Sequence, residues 1–225
     1  MAVAHSATSE SHTGTTGSTN QASFSWTHTQ TGTPQGVLVF VHGMNSATDL
    51  VTSVTYGGTA LTRVSGGAAV DSAGETGRTD LFFLGSGLAS GNQTIVVNRT
   101  NNANIMYASA ATVTAATETE VTGIILLEGD GTMAEQSVDD GSPGTDSVRY
   151  AAAFSGLNAI PTVGANSTSL QSIDIGNQTA RLVRETTAGQ GSRLVGFTTA
   201  SEDRAAVHVA VRELVVVVKR IILIT

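Results

Sequence analysis

The sequence contains no cysteine, a single lysine and few charged or aromatic residues. Without cysteine there can be no disulfide bonds, thiolate catalysis or Cys-ligated metals, so packing and strand pairing must hold the fold together. Charged residues make up 13% of the 225 residues, about half the usual share. Threonine, serine, asparagine and glycine take their place, which indicates a neutral, hydroxyl-rich surface.

The charge distribution also limits the possible partners. The net charge is −7, and the only lysine is Lys219. No cluster of basic residues occurs, so binding to the phosphates of nucleic acid is not expected.

Residues 1–21 are polar and of low complexity, without lysine, arginine or an apolar core. They lack the features of a secretory signal peptide, and we expect an arm that orders only against a partner. The apolar run LVVVV at 214–218 is short and is followed by Lys219 and Arg220, so no membrane span is expected. The chain is therefore expected to be made in a cytoplasm and to stay soluble until it assembles.

After residue 21 the chain is a series of short β-like runs separated by turn sequences. SFSWTHT at 23–29 alternates, which predicts a strand with Phe24 and Trp26 on one face. VLVFV at 37–41 is continuously apolar, as in a strand buried on both faces. The run at 51–64 is interrupted by a Gly57-Gly58 pair, which indicates a hairpin.

Further strands are predicted at 79–85, 93–100, 104–115, 122–129, 149–156, 169–175, 180–186, 193–199 and 205–218. No clear amphipathic helix separates them. Many short strands at regular spacing predict an all-β fold, an antiparallel β-sandwich or jelly roll. We assign residues 22–218 to this sandwich domain, 1–21 to the polar arm and 219–225 to an apolar tail.

The stretch GVLVFVHGMNS at 36–46 raises the question of an α/β-hydrolase, because a strand ending in His42-Gly43 can lead into an oxyanion loop. Such enzymes need helices between strands and a serine with glycine at positions −2 and +2. Ser155 comes nearest to that motif but lacks both glycines, and His208 lies in the alternating run AVHVAV. We therefore expect His42 to be a turn residue after a buried strand. No catalytic residue is predicted, and the protein is not expected to be an enzyme.

Metal ligands are not indicated either. The five histidines show no metal-binding spacing; they are His5, His12, His28, His42 and His208. The acidic turns EGDG at 128–131 and DDG at 139–141 offer oxygen ligands but do not follow the EF-hand pattern. Such turns are common without an ion, so the sequence predicts no metal and no cofactor.

The segments VTSVTYGGTALTRV and GRTDLFFLGSGLASGNQTIVV carry a resemblance. They are similar to a β-sandwich domain that recurs in phage and bacterial genomes, with a V-T-Y-G-G-x-x-L-T hairpin (54–62), an aromatic-leucine strand (81–84) and a G-x-x-x-I-x-V strand (91–97). SFSWTHT and VLVFV resemble the strand pair that opens this domain, so the resemblance covers 23–115. It implies a virion protein, such as a jelly-roll protein that decorates capsids, or a bacterial surface protein.

We therefore expect a structural virion protein, a decoration or cement protein on the exterior of a tailed-phage head. Its partners would be the major capsid protein and other copies of itself. The alternative is a glycan-binding module of a tail fibre or cell surface. An aromatic content of 4% and the placement of the single Trp26 in a strand argue against that alternative.

The expected interface is the apolar run of Ile221, Ile222, Leu223 and Ile224. Such a segment needs burial, and we expect it to pack on a neighbouring copy or on the capsid shell. A homo-oligomer follows, with a trimer as the first expectation. The alternative is a final strand in the protein's own sheet, which the alternating valines at 207–211 support as far as about residue 218.

Overall fold

The computed structural model describes residues 3–13, 21–30, 32–100, 104–141, 146–156, 160–175 and 178–214. Within these ranges the chain forms strands and no helix, and therefore no helix that could cross a membrane. The strands are β1 (Ala4–His12), β2 (Ser23–His28), β3 (Gly36–Met44), β4 (Val51–Tyr56), β5 (Thr59–Ala60), β6 (Thr62–Asp71), β7 (Gly77–Leu84), β8 (Gln93–Arg99), β9 (Met106–Thr114), β10 (Thr119–Met133), β11 (Gln136–Asp139), β12 (Val148–Ser155), β13 (Ser167–Asp174), β14 (Thr179–Glu185), β15 (Ser192–Val195) and β16 (Thr199–Glu213).

The strands form four antiparallel sheets. The central sheet has the order β1-β9-β3-β7-β6, the outer sheet β2-β8-β4-β5, and the C-terminal sheet β10-β16-β12-β14-β13. A two-stranded sheet, β11-β15, completes the fold. The predicted all-β fold of packed antiparallel sheets is confirmed.

The central sheet is covered on both faces, as β3 shows. Val37, Val39 and Val41 belong to the core shared with the outer sheet. Leu38 and Phe40 belong to the core shared with the C-terminal sheet. Every residue of β3 is buried, so the prediction from its continuous apolar sequence is confirmed.

Each half of the chain builds its own sheets. Residues 4–114 build the central and outer sheets, and residues 119–213 build the C-terminal and two-stranded sheets. The two halves meet in one core, in which the ring of Phe154 on β12 packs against the backbone of Gly77 on β7. A side chain at position 77 would collide with that ring, because the halves approach closely here.

The N-terminal segment corrects a prediction. We expected residues 1–21 to order only against a partner, yet Ala4–His12 is a strand that pairs with β9 along its length. The Tyr107 hydroxyl donates to Glu10, and Gln171 donates to the Thr8 hydroxyl at 3.3 Å. A polar strand is stable here because β9 pairs with one edge of its backbone, and side chains such as Thr8 and Glu10 have polar partners.

The predicted hairpin at Gly57-Gly58 is confirmed. Tyr56 at the end of β4 pairs with Thr59 at the start of β5. Gly57 has φ 55° and Gly58 has φ 84°. Both lie in the left-handed region that a two-residue type I′ turn requires and that glycine adopts without strain.

Candidate functional site

The predicted interface lies outside the described residues, which end at Leu214. Ile221, Ile222, Leu223 and Ile224 therefore remain a prediction. Leu214 is 36% exposed, and its amide donates to the Glu118 carbonyl at 2.8 Å.

His42 lies inside β3, so its assignment to a turn after the strand is wrong. Its Nδ1 is 2.9 Å from the Thr79 hydroxyl on β7, and that hydroxyl donates to the Ala205 carbonyl at 2.6 Å. Because the single hydroxyl hydrogen goes to Ala205, Nδ1 carries the hydrogen between His42 and Thr79. The ring stacks on Tyr107 at 5.5 Å, and burial lowers the pKa of His42 to about 3. His42 is therefore a neutral residue of the core.

Ser155 and His208 are both buried but are not brought together. Ser155 on β12 pairs with Arg204 on β16, whereas His208 pairs with Ala151. The two positions are four residues apart along the strands, or about 13 Å. The geometry therefore provides no nucleophile–base contact between them.

Among the described residues, the serine–histidine contact most like a nucleophile–base pair involves Ser9, which the sequence analysis did not predict as a site residue. Ser9 Oγ lies 2.7 Å from His28 Nδ1 and accepts a hydrogen bond from the Trp26 indole at 2.7 Å. His28 Nε2 lies 3.2 Å from the Thr112 hydroxyl, and burial lowers the pKa of His28 to about 4. These contacts join β1 and β9 of the central sheet to β2 of the outer sheet.

Three aspartates converge at the seam between the two halves. Asp71 ends β6 of the central sheet, and Asp130 on β10 and Asp203 on β16 belong to the C-terminal sheet. One carboxylate oxygen of each lies within 4.8 Å of those of the other two. Asp71 is buried, Asp203 is partly buried and Asp130 is exposed. We call these residues the aspartate cluster.

A tight loop between β6 and β7 borders the aspartate cluster. The Asp71 carboxylate accepts a hydrogen bond from the Ala73 amide at 3.0 Å, and the Asp203 carboxylate accepts one from the Glu75 amide at 2.6 Å. Gly74 has φ 56° and lies directly against the Asp203 carboxylate. The loop thus holds Asp203 of the second half against the first half of the chain.

Sequence reasoning found only part of this cluster. The EGDG turn identified Asp130 as a source of oxygen ligands, but neither Asp71 nor Asp203 lies in a known ligand motif. Strand register alone places Asp130 opposite Asp203. The packing of β6 against β10 and β16 then adds Asp71.

A buried ion network supports the C-terminal sheet. Arg149 on β12 is fully buried and lies 3.2 Å from the Asp140 carboxylate and 3.3 Å from the Glu185 carboxylate. It also donates to the carbonyls of Val138 and Gly189 at 2.9 and 2.8 Å. Burial raises the pKa of Glu185, and the charge of Arg149 opposes this shift. The network fixes β11 and the segment before β15 on the sheet.

An open pocket of about 490 Å³ lies beside this network. It is lined by Ala165, Asn166, Glu185, Thr186, Thr187, Arg193 and Leu194. Asn166 is held by two hydrogen bonds to the Glu135 carboxylate, at 2.8 and 2.9 Å. Leu194 is 43% exposed. Amide, hydroxyl and guanidinium side chains therefore line the pocket, whereas the Glu185 carboxylate in its wall is paired with Arg149.

Comparison of the chain with protein-family models, curated proteins and solved structures found no match. The resemblance of residues 23–115 to the phage and bacterial β-sandwich domain therefore stays a prediction.

Proposed function

We propose that the protein is a structural virion component that decorates and cements the head of a tailed phage. It acts without catalysis, by burying surface between neighbouring shell subunits. Many weak contacts repeated over a shell multiply into tight attachment, so such a protein needs shape and rigidity more than an active site.

The observation that carries the proposal is the apolar sequence directly after β16. β16 is a central strand of the C-terminal sheet, and exposed Leu214 follows its last residue. Four valines at 215–218 and the run Ile221, Ile222, Leu223 and Ile224 come next. Burial of the last four side chains on a neighbour contributes on the order of 6–12 kcal/mol before ordering costs.

The stacked sheets support a scaffold role. The central sheet is packed on both faces, and the buried Arg149 network and the His42–Thr79 contact add polar cross-links between strands. Packing on both faces and buried hydrogen bonds between strands favour a single rigid shape. A rigid body presents the same surface to each subunit of a shell.

Quantitative proteomics of purified particles tests the proposal. We expect this protein at a copy number comparable to that of the major capsid protein, as part of a homo-oligomer that we take to be a trimer. Absence from purified particles would reject the virion role.

A second candidate function is glycan binding by a tail-fibre or cell-surface module. The pocket beside Asn166 and Arg193 favours it, because a small number of polar groups, among them amides and charged side chains, fix the orientation of a ligand in its pocket. Trp26 does not provide an aromatic platform, since it stacks on Phe24 at 6.0 Å and donates to Ser9. A glycan array without a hit at high protein concentration would exclude this function.

A further inference from the structure

Asp71 has a buried carboxylate oxygen without a hydrogen-bond partner. The side chain is fully buried at the end of β6, and one oxygen accepts the Ala73 amide. The other oxygen, Oδ2, has no hydrogen-bond partner. Burying a carboxylate oxygen without a partner destabilises the folded state. A bound proton or a bound cation would remove this cost.

Asp130 and Asp203 add a second unfavourable contact. They are direct partners in the register of β10 and β16, and like charges directly opposite each other are destabilising. Within the described ranges, no arginine forms a salt bridge with any of the three aspartates.

Two arrangements relieve this repulsion. A proton shared between Asp130 and Asp203 is one, and the hydrogen bond and charge of Asp203 do raise the pKa of Asp130. That arrangement leaves Asp71 Oδ2 without a partner. A cation held by all three carboxylates removes the repulsion between Asp130 and Asp203 and gives the buried Asp71 carboxylate an opposite charge.

We propose that Asp71, Asp130 and Asp203 bind a divalent cation and that Ca²⁺ fits this site best. All three donors are carboxylate oxygens, which hard cations prefer. Calcium–oxygen distances of about 2.3–2.6 Å let ligands on opposite sides of the ion stand about 5 Å apart. The three oxygens lie within 4.8 Å of one another, which is inside this span. Mg²⁺ is smaller and demands a tighter octahedral arrangement.

The bound ion ties the two halves of the chain together. Asp71 comes from the central sheet, whereas Asp130 and Asp203 come from the C-terminal sheet. The ion thus bridges the rim of their shared core, beside the loop that already joins Glu75 to Asp203. This role is independent of the proposed attachment to a capsid.

The test uses the full chain, treated with EDTA and dialysed. CaCl₂ and, in parallel, MgCl₂ are titrated by isothermal calorimetry, and thermal unfolding is recorded at each concentration. We expect one Ca²⁺ per chain, with weaker binding of Mg²⁺. At Ca²⁺ about a hundredfold above Kd, Tm is expected to rise by about 5–10 °C.

Two variants assign the binding to this site. Asp130→Asn removes one ligand at an exposed position and is expected to weaken Ca²⁺ binding at least tenfold and to abolish most of the Tm rise. Its Tm without Ca²⁺ is expected to equal or exceed that of the wild type, because the repulsion with Asp203 is gone. Asp139→Asn is the matched control. Asp139 is exposed and lies in the other acidic turn, where it accepts a hydrogen bond from the Gly141 amide that an asparagine can also accept. It is expected to respond to Ca²⁺ as the wild type does.

Three outcomes would overturn the proposal. The first is a wild-type protein that neither binds Ca²⁺ nor changes its Tm, which would favour the shared proton. The second is a wild-type response in Asp130→Asn. The third is loss of the response in Asp139→Asn, which would place the ion elsewhere.

Discussion

His42 on β3 donates a hydrogen bond from Nδ1 to the Thr79 hydroxyl on β7, 2.9 Å away. The Thr79 hydroxyl in turn donates a hydrogen bond to the Ala205 carbonyl on β16. This chain of two hydrogen bonds, which we call the relay, runs from the central sheet to the C-terminal sheet inside the core. It links the two halves of the chain at a point that is closed to water.

Replacement of Thr79 by valine is expected to destabilise the protein by about 1–3 kcal/mol, because the side chain keeps its shape but His42 Nδ1 loses its buried partner. The free energy of unfolding in urea measures the effect. Thr62→Val, at an exposed position of β6, is the matched control and is expected to change stability by less than about 0.5 kcal/mol. Equal effects of the two substitutions would contradict a structural role for the relay.

The buried histidines predict a loss of stability in mild acid. Burial lowers the pKa of His42 to about 3 and that of His208 to about 4. Between these values and the ordinary pKa of about 6.5, only the unfolded chain takes up the protons. Stability is therefore full above about pH 6.5 and falls as the pH drops toward 4, by up to about 1.4 kcal/mol per pH unit for each histidine.

Urea unfolding at pH 7.5 and 5.5 measures this dependence. His208→Leu is expected to make it shallower, because the variant has one fewer group to protonate on unfolding. Thr62→Val, which changes an exposed residue of β6 that does not titrate, is expected to keep the wild-type dependence. A midpoint that stays constant between the two pH values would show that the histidines do not control acid stability.

Arg149→Met is expected to destabilise the protein by about 3–5 kcal/mol, because the buried carboxylates of Asp140 and Glu185 lose the positive charge of the guanidinium between them. Arg212→Met is the comparison variant. It breaks a partly exposed pair with Glu120 at 2.8 Å and a hydrogen bond to the Asp140 carbonyl at 2.7 Å, and is expected to cost about 1–2 kcal/mol. Thermal unfolding of the two variants side by side checks the difference. A loss at Arg149 no larger than that at Arg212 would contradict the importance of the buried network.

Truncation after Val218 is expected to leave a folded β protein that no longer assembles or binds capsids, because Ile221, Ile222, Leu223 and Ile224 are removed. Circular dichroism checks the fold, and analytical ultracentrifugation and co-sedimentation with particles check assembly. Full-length protein is the control. If the truncated chain keeps its oligomeric state and still binds particles, the segment is only a part of its own domain.

The local sequence was enough to predict most of the strands. Alternation in SFSWTHT placed Phe24 on the buried face of β2, and Gly57-Gly58 marked the hairpin between β4 and β5. β1 was missed because its residues are polar on both faces, so no alternation of apolar and polar residues marks a buried side. β11 was missed because it has four residues and a single buried valine, Val138.

The layers and the sites could not be predicted in the same way. VLVFV shows that β3 has two buried faces, but the identity of the sheet on each face depends on residues far along the chain. His42 became a core residue because β7 and β16 supply its polar neighbours. Asp71, Asp130 and Asp203 meet because strand register and sheet stacking bring them together. The periodicity of apolar residues along one strand shows which of its side chains are buried. The partners of those side chains depend on contacts with strands that are distant in sequence, and only the tertiary structure determines these contacts.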